Sequence, residues 1–187
     1  MPVISITLLP GYSPETEQRL VQRVAQATRS VIAASPAGTT VFVHQASTYQ
    51  RDGRVFSGGG QARVDASALV RQFLALTQNR QLTDAAQLLS PAFAMHFPAS
   101  PVMHRLEDLV DWARGRYQQV AKDYVHFDES WGDESCVVHC SGHLHGVWLD
   151  GSAFSGIRFI DRFEIVDGLI QRQDVWNDLA ETRAKRG

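Results

Sequence analysis

The sequence predicts an α+β fold in two units, residues 1–60 and 61–187, on three observations. A strand, a helix and a second strand follow one another in the first unit. A glycine run, Gly58 to Gly60, closes that stretch. Beyond it helical periodicity comes first and long β-rich segments second, an order that gives helices covering one face of a curved antiparallel sheet.

Residues 3–9 (VISITLL) alternate and then run apolar, as a strand does. Ser13-Pro14 with Glu15 and Glu17 supplies an N-cap, a proline at the first helical position and acid in the first turn. Leu20, Val21, Val24, Ala25, Thr28, Val31 and Ile32 then recur at helical spacing until AASPAG stops them, so this helix is expected to bury one face. TTVFVHQAS is a second β-branched strand, and a strand–helix–strand crossover leaves its strands parallel. In the second unit Leu69, Val70, Phe73, Leu74 and Leu76 mark one amphipathic helix, TDAAQLLS a short second, and Leu106, Leu109, Val110, Ala113 and Tyr117 a third. VHFDES, SCVVHCSGHLHGVWL, SAFSGIRFIDRFEIV and LIQRQDVWND read as strands separated by the turn signals WGDE, LDGS and VDG.

Composition excludes several classes of function. With 44% hydrophobic and 20% charged residues the 187-residue chain is an ordinary globular one. A net charge of -2, with Lys and Arg scattered, gives no basic stripe for nucleic acid. No apolar run approaches the roughly 20 residues of a membrane span, and the start lacks a secretory signal, so a cytoplasmic location is expected. Cys136 and Cys140 lie four apart in one strand, too far at ~3.3 Å per residue to bridge, and read as small core residues. A two-stranded unit buries too little surface to stand alone and leaves its edges unpaired, so a homo-oligomer is expected.

Strand alternation puts Ile157, Phe159, Asp161, Phe163 and Ile165 on one face and Arg158, Arg162 and Glu164 on the other. Asp161 is thus an acid on an apolar face, where desolvation keeps a proton on the carboxyl and lets it donate a hydrogen bond. His139, His143 and His145 share a strand face but span ~20 Å, so only His143 and His145 fall within reach of one ion, and no metal site is expected. Asp174 and Trp176 share a parity as ligand contacts, and Trp112, Tyr117, Tyr124 and Trp148 are further candidates to line a pocket for an aromatic ligand.

Pro2, the LLPGYS turn, the helix register and FSGGG at 56 to 60 together resemble the 4-oxalocrotonate tautomerase family. The resemblance implies that Pro2, once Met1 is trimmed, is a general acid or base moving a proton between carbon and oxygen. An α-amino group, with an ordinary pKa near ~8, is tuned by burial towards neutrality for this task. Phe56 matches the aromatic that walls that family's pocket. Tyr12 follows Gly11 where the family's namesake has arginine, and Val41 to Val43 offer no second arginine, so a dicarboxylate substrate is not implied.

LLSPAFAMHFP, GHLHG and GIRFIDRFEIVDGLIQRQDVWND resemble the cone-shaped fold of SnoaL-like polyketide cyclases, ketosteroid isomerases and nuclear-transport-factor-like domains. IDRF resembles the segment carrying the isomerase's acid, which falls on Asp161. His96 precedes the Phe97-Pro98 pair that stands where the isomerase has its base, and His143 and His145 flank Leu144 where the cyclases have a histidine. Together the resemblances imply a cofactor-independent enzyme shifting protons on an enolisable carbonyl compound. The alternative is a non-catalytic small-molecule binder, with the first unit as an oligomerisation scaffold.

Overall fold

The structure is a computed structural model that describes residues 1–57, 60 and 62–184, so Gly58 and Gly59 of the predicted boundary lie outside the described residues. The chain divides into two compact units, Met1–Arg63 and Val64–Gly187.

The first unit runs β1 (Val3–Leu8), α1 (Pro14–Val31) and β2 (Thr40–Gln45), with a single 3₁₀ turn at Pro36–Gly38 before β2. The Ser13 hydroxyl accepts from the Thr16 N–H at 3.3 Å and caps α1. β1 and β2 pair in parallel, Val3 opposite Thr40 through Leu8 opposite Gln45. A hairpin of β3 (Tyr49–Arg51) and β4 (Arg54–Phe56), absent from the sequence reading, turns on Asp52 and Gly53 at φ 51° and 73°. Two consecutive left-handed residues are what a tight hairpin matching the strand twist requires. One expectation is corrected: α1 has no buried residue. A ribbon of two strands is too narrow to cover the helix stripe, and its other face leaves Val3 and Phe42 66% and 50% exposed.

The second unit runs α2 (Ala66–Gln78), α3 (Leu82–Ala86), β5 (Leu89–His96), α4 (Leu106–Arg114), β6 (Tyr117–Trp131), β7 (Ser135–Trp148), β8 (Ala153–Val166), β9 (Leu169–Asn177) and α5 (Leu179–Ala184). Its curved sheet has the order β5-β9-β8-β7-β6. The four strands marked in the sequence, β6 to β9, pair antiparallel as expected, and the sheet is made mixed by β5, which enters beside the last strand and pairs with β9 in parallel. Past β5 the chain doubles back, and Met95 and Met103 exchange two backbone hydrogen bonds of 2.8 and 3.0 Å. Tyr117 is likewise corrected from helix to strand, since α4 stops at Gly115 and the chain turns into β6.

The core lies between the helices and one face of the sheet. Asp65 caps α2 by accepting from the Ala68 N–H at 3.0 Å. Ala66, Leu69, Val70, Phe73 and Leu74 are then buried at helical spacing. Against them stand the alternating inward residues of β7 (Cys136, Val138, Cys140) and β8 (Phe163, Ile165). β6 shifts register between Tyr124 and His126. Close by, a Cβ on Gly142 or Gly146 would collide with the backbone oxygen of Asp123 or Gln119, so only glycine lets the two strands run so close. No described helix is long and apolar enough to cross a membrane.

Candidate functional site

The second unit holds a half-open cavity of about 180 Å³. Its walls come from α2 (Phe73, Leu74, Thr77), α4 (Leu109, Trp112), β6 (Tyr117, Lys122, Tyr124), β7 (Leu144) and β9 (Gln173, Val175), with Phe97 following β5. The walls are mainly aromatic and aliphatic: Phe97 packs on Trp112 with ring centroids 5.3 Å apart, and Tyr124 meets Phe159 edge to face at 5.6 Å.

Into this apolar surround β6 projects one ammonium group. Lys122 Nζ lines the cavity and ion-pairs with Oδ2 of Asp161 on β8, two strands away. It also lies 4.5 Å from the centroid of the Phe159 ring, a cation–π contact. Asp161 is fully buried, at 0% exposure. Its Oδ2 also accepts a long hydrogen bond of 3.5 Å from Gln173 Nε2, while Oδ1 has no hydrogen-bond partner. Burial raises the Asp161 carboxyl above the ordinary carboxylate range, opposed by the Lys122 ammonium and the Gln173 amide. Burial also raises the Tyr124 phenol, and the nearby Asp161 charge adds to the effect, so this hydroxyl keeps its proton as a donor. The cavity therefore offers a desolvated surface, one cation held on a buried anion, and neutral donors: the chemistry of a site that stabilises negative charge developing on a ligand oxygen.

The predicted residues take different places. Asp161 lies behind Lys122, which stands between it and the cavity. Trp112, Tyr117 and Tyr124 line the cavity, and Trp148 borders an adjoining hollow beside α5 that shares Trp112 and Tyr117 with it. His143 pairs with Arg158 on the sheet face away from the cavity, and His145 Nδ1 is 3.0 Å from Asp123 Oδ2. On β9, Trp176 is 55% exposed beside His143 in a shallow groove on that outer face. Asp174 is buried and paired with Arg172 and Arg162 at 2.9 and 3.4 Å, with His96 Nδ1 at 3.2 Å. In the first unit the Tyr12 ring packs on the Cα of Gly60, Phe56 stacks on Tyr49 at 5.4 Å, and the Pro2 carbonyl accepts from the Thr40 N–H at 3.1 Å.

Lys122 is the functional residue that the sequence reading missed. A signal for it was present: the chain's eighteen basic residues are sixteen arginines and two lysines, Lys122 and Lys185. A chain that uses arginine almost everywhere, Arg80 at this same cavity included, has lysine at the position that touches the buried Asp161.

No family model and no curated protein matches the chain in sequence. Solved structures do match in fold. An NTF2-like protein of unknown function from Burkholderia pseudomallei superposes with a TM-score of 0.53 at 16% identity, covering 63% of this chain and 94% of its own. An NTF2-like protein from Burkholderia thailandensis gives 0.52 at 14% identity, covering 64% and 95%. TerC, co-crystallised with polyporic acid, gives 0.52 at 12% identity, covering 63% and 95%. Identities this low carry fold and not activity. By architecture, this chain contains a unit of the NTF2-like fold.

Proposed function

We propose that the second unit is a cofactor-independent enzyme of the isomerase or cyclase type that shifts a proton on a small enolisable carbonyl compound bound in the cavity. The observation that carries this reading is Lys122: an ammonium group facing a mainly apolar cavity, which Arg80 also borders, and held there by the buried Asp161. A carbonyl oxygen placed on Lys122 Nζ meets a positive charge in a desolvated surround, where that charge favours the electron pair released from the α-carbon far more than water does. Tyr124, keeping its proton, supplies a second donor.

Size narrows the ligand. A cavity of roughly 150 Å³ suffices for benzene, so about 180 Å³ takes one ring with a small substituent.

The first unit supports a second reading. Its parallel βαβ architecture with Pro2 immediately before β1 suits a proton shuttle at the proline nitrogen once Met1 is removed, walled by Phe56 of the same or another copy. Its open sheet face, with Val3 and Phe42 exposed, suits assembly into a homo-oligomer.

One experiment tests both readings: exchange of the α-hydrogens of phenylacetaldehyde in D₂O, followed by NMR. Wild type is expected to exceed buffer-catalysed exchange by at least ~100-fold, the usual scale of acid–base assistance, and Lys122→Met to lose that excess. Loss in Pro2→Ala instead assigns the activity to the first unit. No excess in wild type overturns both readings.

A further inference from the structure

We propose that Lys122 is a nucleophilic lysine that captures aldehydes and unhindered ketones in the cavity as a protonated Schiff base. The inference rests on the cavity reading above and deepens it: the positive charge supplied to the substrate is delivered through a covalent bond.

Three observations carry it. The first is position. Lys122 Nζ lines a mainly apolar cavity large enough for one substituted ring, with the side chain only 20% exposed. A lysine side chain set into a mainly apolar pocket is the usual placement of a nucleophilic lysine. The second is the partner. Asp161 touches Nζ through Oδ2, is itself fully buried, and leaves Oδ1 without a partner, so it is an immediate acceptor for the proton that Lys122 must shed. The third is the choice of residue. A purely electrostatic anchor is better served by arginine, which this chain uses sixteen times out of eighteen, yet arginine cannot deprotonate and lysine can.

The step balances without a further reactant. The Lys122 ammonium passes one proton to Asp161. The amine lone pair forms a C–N bond to the carbonyl carbon while the π pair moves to oxygen, and a nitrogen proton moves to that oxygen to give the carbinolamine. Asp161 returns its proton to the hydroxyl, the C–O bond breaks with its electron pair leaving in water, and the nitrogen lone pair closes the C=N bond. Ammonium plus aldehyde thus give iminium plus water. The iminium then draws electrons from the neighbouring C–H bond to give an enamine, the α-proton passing to the Asp161 carboxylate regenerated in the previous step, and its return to carbon completes the proton shift.

The test is reductive trapping of the full chain with benzaldehyde and sodium cyanoborohydride, followed by peptide mapping. Benzaldehyde has no α-hydrogen, so capture is read apart from exchange. With only Lys122, Lys185 and the amino terminus as candidate amines, the site is unambiguous. Lys122 is expected to carry the adduct on the order of tenfold over Lys185 in the folded protein, and equally with it in urea, because only the folded cavity activates it. Lys122→Arg, which keeps a cation beside Asp161, is expected to lose both the adduct and the phenylacetaldehyde exchange. Equal labelling of the two lysines in the folded protein, or exchange that survives in Lys122→Arg, overturns covalent capture while leaving the cavity reading standing. Absence of both adduct and exchange in wild type overturns the two together.

Discussion

The second unit buries Phe73, Phe159, Phe163, Met95, Val70 and Ile170 almost completely, while no described residue of the first unit is buried. Both contain helices with a clean apolar stripe and strands of β-branched residues. What separates them is sheet width. Five strands give a surface that α2 and α4 cover and that curves around a cavity, whereas the two-stranded ribbon leaves both α1 and its own outer face half wet. Periodicity tells which face of an element is apolar, and only the number of strands beside it tells whether that face becomes a core.

Mutation sharpens this contrast, and the largest effect belongs to the core. Phe73 is 1% exposed and meets Phe93 and Phe163 edge to face at 6.4 and 5.9 Å. Phe73→Ala is expected to cost about 3–5 kcal/mol in denaturant unfolding, from lost transfer energy plus the void left behind. A loss below ~1 kcal/mol would break the contrast by showing a core that collapses freely.

Next comes thiol reactivity. Burial, with the nearby Asp161 charge, raises the Cys140 thiol from 9.0 to about 12. At pH 8 its thiolate is then roughly 10³-fold scarcer than that of an ordinary thiol, and Cys136 is as deeply buried. Alkylation is expected to wait for unfolding, and fast modification of the native protein would show that β7 opens locally. The smallest effect is expected in the first unit. Val31 is 86% exposed at the end of α1, and Val31→Ser should move stability by no more than ~0.5 kcal/mol. A larger cost would mean that another copy of the chain covers this helix in solution.

The same physics explains what the sequence disclosed. Alternation in IRFIDRFEIV located Asp161 among buried residues because β8 keeps an unbroken two-residue period through that stretch. Its partner stayed hidden for two reasons. Lys122 lies 39 positions earlier, and the register shift between Tyr124 and His126 reverses the inward parity of β6. Counting back from Phe127, which packs on the core, in steps of two would turn Lys122 and Tyr124 outward, and the bulge turns them in. The histidines misled for the opposite reason: His143 and His145 flank Leu144, and since Leu144 faces the cavity both neighbours must face away. The mixed sheet was illegible because pairing of β5 with β9 is a long-range choice that no local pattern records.

The turn-back after β5 bears on how the chain behaves in a crowd. An edge strand is a row of unpaired amides and carbonyls that invites another chain to add on, the first step towards fibrous aggregates. By folding the segment through Met103 against Met95 and closing two hydrogen bonds there, the chain covers the C-terminal end of its own open β5 edge. The protection is local to that end of β5, because the sheet's opposite edge, the 15-residue β6, has no such covering segment paired to it among the described residues.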